Sequence, residues 1–173
     1  MHRIEVRAAE AAVHVVRDEA GLLPLSPDVR TLLVEEVSRM YLYANDTYIH
    51  PGIFWERILP HSDNVSLLEI EENPTEEDMD RLDSYIPFYD VFICTYYQTR
   101  SSLGAARAIE RLLDAGKKVV VVSTTPLPYS VPAHWPTVIC TYGVFPAVLG
   151  CAADLLFGKF TPQRPARSAP WDQ

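Results

Sequence analysis

Hydrophobic and polar positions alternate along this chain in two textures, short β-branched or apolar runs and longer stretches at helical spacing. The first stretch, Ile4 to Glu19, places Ile4, Ala8, Ala11, Ala12, Val15 and Val16 on one helical face, with Arg3, Arg7, Glu10 and Asp18 elsewhere around it. It predicts an amphipathic helix that ends at Gly21, followed by Leu22-Leu23-Pro24-Leu25 and a polar turn at Ser26-Pro27-Asp28. Strands are predicted over Thr31–Val37, Val65–Ile70, Val91–Tyr96, Val119–Ser123 and Thr137–Thr141. Helices are predicted between and after them, over Gly52–Leu59, Thr75–Ile86, Ser102–Ala115 and Pro146–Phe157. Thr75 suits an N-cap, because Glu76, Glu77 and Asp78 then fill the first turn, where carboxylates favour the helix dipole. Gly116 stands just past the end of the next predicted helix, where a left-handed residue stops it.

Strands that alternate with helices at this spacing require right-handed crossovers and a mainly parallel sheet covered on both faces. Val119–Val122 is apolar at every position, as a strand buried on both sides must be. The expected class is therefore α/β, a three-layer α/β/α sandwich with a mostly parallel, flavodoxin-like sheet of five or six strands. A single domain over 1–173 is expected, with residues 1–25 as leading helix and linker. Residues 161–173 carry Pro162, Pro165 and Pro170 and are expected to form an extended strap.

Composition narrows the partners. A chain of 173 residues that is 48% hydrophobic has enough apolar material for one core. Its net charge of -8 and the lack of any Lys/Arg run exclude a nucleic-acid partner, which would require a basic face. No apolar run reaches the ~20 residues that span a bilayer, and the N-terminus has no signal-peptide pattern, so no membrane contact and a cytoplasmic location are expected for the chain as it stands. Cys94, Cys140 and Cys151 lie in apolar runs without a CxxC pair, and the five histidines do not cluster with them; free buried thiols and no structural metal are expected.

Candidate chemistry is sparse. The loop after the first predicted strand, Ser38 to Asn45, holds no glycine, so neither a dinucleotide fingerprint nor a P-loop is present, and no cofactor is expected. A GxSxG elbow is lacking as well. Glu69, Glu71, Glu72, Glu76, Glu77, Asp78 and Asp80 read as solvated strand and helix ends rather than a catalytic pair. The informative loop follows the third strand, where Tyr97, Gln98, Thr99 and Arg100 stand at a parallel strand's carboxyl end. Rings, an amide and a guanidinium there suit either a sugar or a domain interface. A second loop, with Pro128 and Tyr129, follows the fourth strand and should emerge on the same edge, stiffened by Pro126, Pro128 and Pro132.

The order of these pieces resembles the C-terminal domain of family 3 glycoside hydrolases, in its β-N-acetylhexosaminidase-like branch. The helix Arg7 to Arg17 followed by Gly21-Leu22-Leu23-Pro24-Leu25 is similar to the opening of that domain. Ala115-Gly116-Lys117-Lys118-Val119-Val120-Val121-Val122-Ser123 is similar to its "aGkpvvvv" strand, and Pro128-Tyr129 to a Pro-Tyr loop. Thr141-Tyr142 through Ala152-Ala153-Asp154-Leu155-Leu156-Phe157-Gly158-Lys159-Phe160-Thr161-Pro162 resembles "tY...p.a..aaadvLfGk.nP". The chain departs from the pattern after Pro162, where Gln163-Arg164-Pro165 replaces the family's glycine and LPV-like segment, and over Tyr41–Asn64.

The resemblance implies a partner, a TIM-like catalytic barrel that carries the aspartate nucleophile and lies outside these 173 residues. In the β-glucosidase branch the acid/base glutamate comes from the loop after the strand that Val91–Tyr96 matches. Here that loop, Tyr97 to Ser102, has no carboxylate. In the N-acetylglucosaminidase branch the acid/base is a barrel histidine, so the missing glutamate favours that branch, and no catalytic residue is expected in this chain. The implied function is an accessory domain that shapes a glycosidase cleft, with carbohydrate as a ligand at the loops and self-association through the docking face. The alternative is a stand-alone carbohydrate-binding or protein-interaction module.

Overall fold

The computed structural model describes residues 2–37, 40–42, 47–97, 105–124 and 131–162. Its elements in chain order are α1 (His2–Ala12), β1 (His14–Asp18), β2 (Thr31–Val37), β3 (Met40–Leu42), β4 (Thr47–Ile49), α2 (Trp55–Ile58), β5 (Val65–Glu71), α3 (Glu76–Tyr85), β6 (Val91–Tyr96), α4 (Ala106–Asp114), β7 (Lys118–Ser123), β8 (Thr137–Cys140) and α5 (Pro146–Leu156). Six strands form one sheet in the order β1-β8-β7-β6-β2-β5, and β3 pairs with β4 in a separate hairpin. Every pair in the main sheet is parallel except β1 with β8. Counted among the parallel strands alone, the order is the doubly wound one expected, with β2 first in the chain and the reversal between β2 and β6.

Each face of the sheet carries its own core. Leu33, Ile93, Val120, Val122 and Ile139 pack with α1, α2 and α5 through Ala9, Phe54, Ile58, Leu149 and Ala152. Leu32, Val34, Phe92, Val119, Val121 and Val138 pack on the opposite side with α3 and α4 through Leu82, Ala108, Ile109 and Leu112. β7 lies between β6 and β8 and feeds both cores with alternate valines, which is why it is apolar throughout. Three layers result.

The first expected helix is half strand. α1 stops at Ala12, and His14–Asp18 runs antiparallel along β8, His14 opposite Cys140 and Asp18 opposite Thr137. Helical periodicity over Ile4–Glu19 concealed a β-branched run, Val13-His14-Val15-Val16, whose edge pairing outweighs its helix propensity. Gly21, at φ +60, turns the chain after β1 rather than after a helix. Asp18 fixes that turn by accepting the N–H groups of Leu22 and Leu23 at 2.9 and 3.1 Å. Leu25 then donates its N–H to the Leu156 carbonyl at 2.7 Å, seating the Leu-Pro-Leu segment on the end of α5.

Other boundaries follow local chemistry. Thr75 caps α3 in a reciprocal box: its hydroxyl accepts from the Asp78 N–H at 3.2 Å, and the Asp78 carboxylate accepts from the Thr75 N–H at 2.9 Å. Asp78 is therefore buried, at 5% exposure, and not the solvated residue expected. Gly116 (φ +70) closes α4, with Lys117 donating to Leu112 at 3.0 Å. The helix expected over Gly52–Leu59 shortens to Trp55–Ile58, because Gly52 at φ +75 belongs to the turn before it. Among the described residues no helix is long and apolar enough to cross a membrane. The strap after Pro162 lies outside the described residues.

Candidate functional site

β2 is apolar from Leu32 to Val34 and then carries two consecutive carboxylates into the carboxyl edge of the sheet, each 1% exposed. Alternate residues of a strand point to opposite faces, so Glu35 and Glu36 serve different layers. Glu35 accepts the backbone N–H groups of Phe54 and Trp55 at 2.9 and 3.0 Å, one on each oxygen, and fastens the start of α2 to the strand. Glu36 accepts the N–H of Tyr97 through Oε2, while its own N–H donates to Thr95 Oγ1 at 2.8 Å. Glu36 Oε1 has no hydrogen-bond partner among the described residues. The two contacts of Glu36 cross from β2 to β6, where the strand order reverses, the place at which open α/β sheets admit ligands.

Burial dominates the electrostatics here. It pushes the Glu35 carboxyl from its ordinary 4.5 up to about 7, against the pull of the Phe54 and Trp55 N–H groups; Glu69 adds repulsion and His50 relieves some of it. Glu36 rises for the same reason to about 8, with the N–H groups of Tyr97 and Ala105 opposing and the Glu72 charge adding to the rise. The neighbouring Cys94 thiol and Tyr96 and Tyr97 hydroxyls are displaced upward by burial and then by these carboxylates. Glu35 and Glu36 thus favour their neutral forms at mildly acidic pH and bring buried charge to the edge as pH rises.

Of the residues expected at the site, Tyr97 sits at the end of β6 and is buried, at 7% exposure, its hydroxyl enclosed. Gln98, Thr99, Arg100, Pro128 and Tyr129 lie outside the described residues. Glu35 and Glu36 escaped the sequence reading, although a signal was present: two adjacent acids closing a strand that a doubly covered parallel sheet must bury. Further along the same edge, Tyr142 stands at φ 53 and 44% exposure, its ring 5.2 Å from that of His14, beside half-exposed Phe145. The three cysteines are buried, and burial raises each thiol.

No known family profile and no curated protein matches the chain. Solved structures do. A glycoside hydrolase family 3 β-N-acetylglucosaminidase from Paenibacillus sp. superposes on 91% of this chain with a TM-score of 0.77 at 19% identity. The fold is that of a family 3 glycoside hydrolase domain. A fungal multi-domain family 3 β-N-acetylglucosaminidase covers 95% of the chain (TM-score 0.68, 16% identity), and a β-glucosidase from Listeria innocua, solved with isofagomine, covers 92% (TM-score 0.68, 18% identity). The chain spans 30%, 19% and 26% of these three proteins respectively, the share of one domain in a larger enzyme.

Proposed function

We propose that this domain is the C-terminal accessory part of a glycoside hydrolase of the β-N-acetylhexosaminidase-like branch, shaping a substrate cleft beside a catalytic barrel carried elsewhere. One observation carries the reading: nearly the whole chain, 91%, superposes on 30% of an enzyme of that kind, so what it resembles is a part and not the whole. The chain's own acids agree. Retaining hydrolysis by a carboxylate pair needs the two groups roughly 5 Å apart, flanking one glycosidic bond. Glu35 and Glu36 point to opposite faces, are buried and are engaged with backbone N–H groups, so they cannot flank a sugar together. In this reading Gln98, Thr99, Arg100, Pro128 and Tyr129 serve the cleft.

The purified chain should leave aryl β-N-acetylglucosaminides and aryl β-glucosides unhydrolysed above background. Supplying a family 3 barrel in the same assay should restore turnover of the glucosaminide, and exchange of Arg100 or Tyr129 for alanine should then raise KM. Turnover by the chain alone, abolished by changing one of its acidic residues, would overturn the reading.

A further inference from the structure

α4 begins without a cap of its own. Its N-cap residue, Ala105, has no side-chain acceptor, and its first turn, Ala106-Arg107-Ala108, carries a cation and no acid, although the leading N–H groups of a helix need acceptors. An acceptor stands across the sheet. The Glu36 carboxyl group of β2 accepts the N–H of Tyr97 through Oε2, and the N–H of Ala105 also favours its charge. Tyr97 and Ala105 bound the connection 98–104 between β6 and α4, so both ends of that connection face one carboxyl group. We propose that Glu36 is a positioning residue for the cleft, fixing the two ends of the connection that carries Gln98, Thr99 and Arg100. The inference rests on the accessory-domain reading, which gives those three residues to the cleft.

The place of Glu36 in the sheet explains why a side chain is needed there. Backbone pairing of β2 with β6 stops at Val34 opposite Cys94, whereas β2 stays paired with β5 as far as Val37 opposite Glu71. β2 and β6 therefore part at the reversal of strand order, and no ladder ties the end of β6 to β2. Glu36 spans that gap twice. Its N–H donates to Thr95 Oγ1 at 2.8 Å, and its carboxyl group reaches Tyr97. Glu35 differs: its two oxygens take the adjacent N–H groups of Phe54 and Trp55, and so hold one turn rather than two ends. An apolar residue in place of Glu36 would leave the Tyr97 N–H without its acceptor. The ordering of the connection's ends would then fall on substrate binding instead of on folding.

Amide hydrogen exchange of the full chain reads the hold, and kinetics with a family 3 barrel supplied read its use. Glu36→Met removes the acceptor and should lower protection at Tyr97 and Ala105 relative to Val120 by about tenfold, in the range of a hydrogen bond to a charged group. Glu36→Gln keeps an acceptor oxygen and should retain most of that protection. With the barrel and an aryl β-N-acetylglucosaminide, Glu36→Met should raise KM with kcat unchanged, and Glu36→Gln should restore the parent KM. Thr75→Ala, which weakens the cap of α3, should leave KM as it was. Unchanged protection at either residue in Glu36→Met overturns the hold and leaves the accessory-domain reading standing. A parent chain that supports no turnover with the barrel overturns that reading, and the cleft role with it. Lost protection with an unchanged KM, or an equal rise of KM in Thr75→Ala, overturns the positioning role. If Glu36→Met fails to fold, Glu36→Asp, which keeps the charge and is shorter by one methylene, takes its place in both measurements, and the same outcomes decide.

Discussion

The carboxylate of Glu36 accepts the backbone N–H of Tyr97, tying β2 to the end of β6 where the strand order reverses. Because the Glu36 carboxyl is buried, this tie couples the edge of the sheet to proton uptake. Folding raises both Glu35 and Glu36 above their ordinary 4.5, to about 7 and about 8, so the folded chain binds more protons at neutral pH than the unfolded one. The stability they contribute is complete below about 4.5 and is lost as pH rises through 7 and 8. The urea midpoint should be lower at pH 8.5 than at pH 5.5, and Glu36→Gln should stabilise the chain at pH 8.5 by at least about 1 kcal/mol, the value of one displaced pKa unit. A midpoint that climbs over this range would contradict the assignment.

Replacing Gly158 should cost more than replacing Gly116. Both stand at positive φ, +72 and +70, where an alanine is strained by about 1–2 kcal/mol. At Gly116 a Cβ meets nothing within 4 Å, whereas at Gly158 it would lie 3.0 Å from Cβ of Pro24. Gly158→Ala must therefore also displace the Leu-Pro-Leu segment from α5. Chemical denaturation of the two alanine variants should show the larger loss for Gly158.

Thr75→Ala removes one half of the capping box and should destabilise the chain by about 1 kcal/mol. Thr75→Ser, which keeps the acceptor oxygen, should recover most of that loss. Equal losses in the two variants would show that the methyl group and not the hydroxyl matters.

The thiols of Cys94, Cys140 and Cys151 should resist aromatic disulfide reagents in the native chain and all react once it is denatured. Burial raises each thiol, which lowers its thiolate fraction, and it also blocks access. Rapid reaction of Cys94 in the native state would mean that the β2–β6 edge opens far more readily than its packing indicates.

Local pattern was sufficient wherever one residue's surroundings are set by near neighbours in the chain. Val119–Val122 could be read as a strand covered on both sides because four consecutive apolar residues leave no face for water. The Thr75 cap and the Gly116 stop were legible for a similar reason, since each depends on hydrogen bonds within about five residues. Alternation of these strands with helices, together with right-handed crossovers, led to the three-layer class, and the order of the motifs led to the likeness with family 3 domains.

Tertiary structure decided what depends on partners far away in sequence. The run His14–Asp18 is a strand because the open edge of β8, more than a hundred residues on, offers it hydrogen bonds, and no helical periodicity can announce that. Glu35 and Glu36 look like exposed charges when read one at a time. They become buried, proton-holding groups because β5, β6 and the start of α2 close around them, with the N–H groups of Phe54, Trp55 and Tyr97 as their donors. Sequence determined which residues had to be buried, through the free energy of removing apolar surface from water. Only the fold determined which polar groups were buried with them, because that depends on where strands distant in the chain happen to meet.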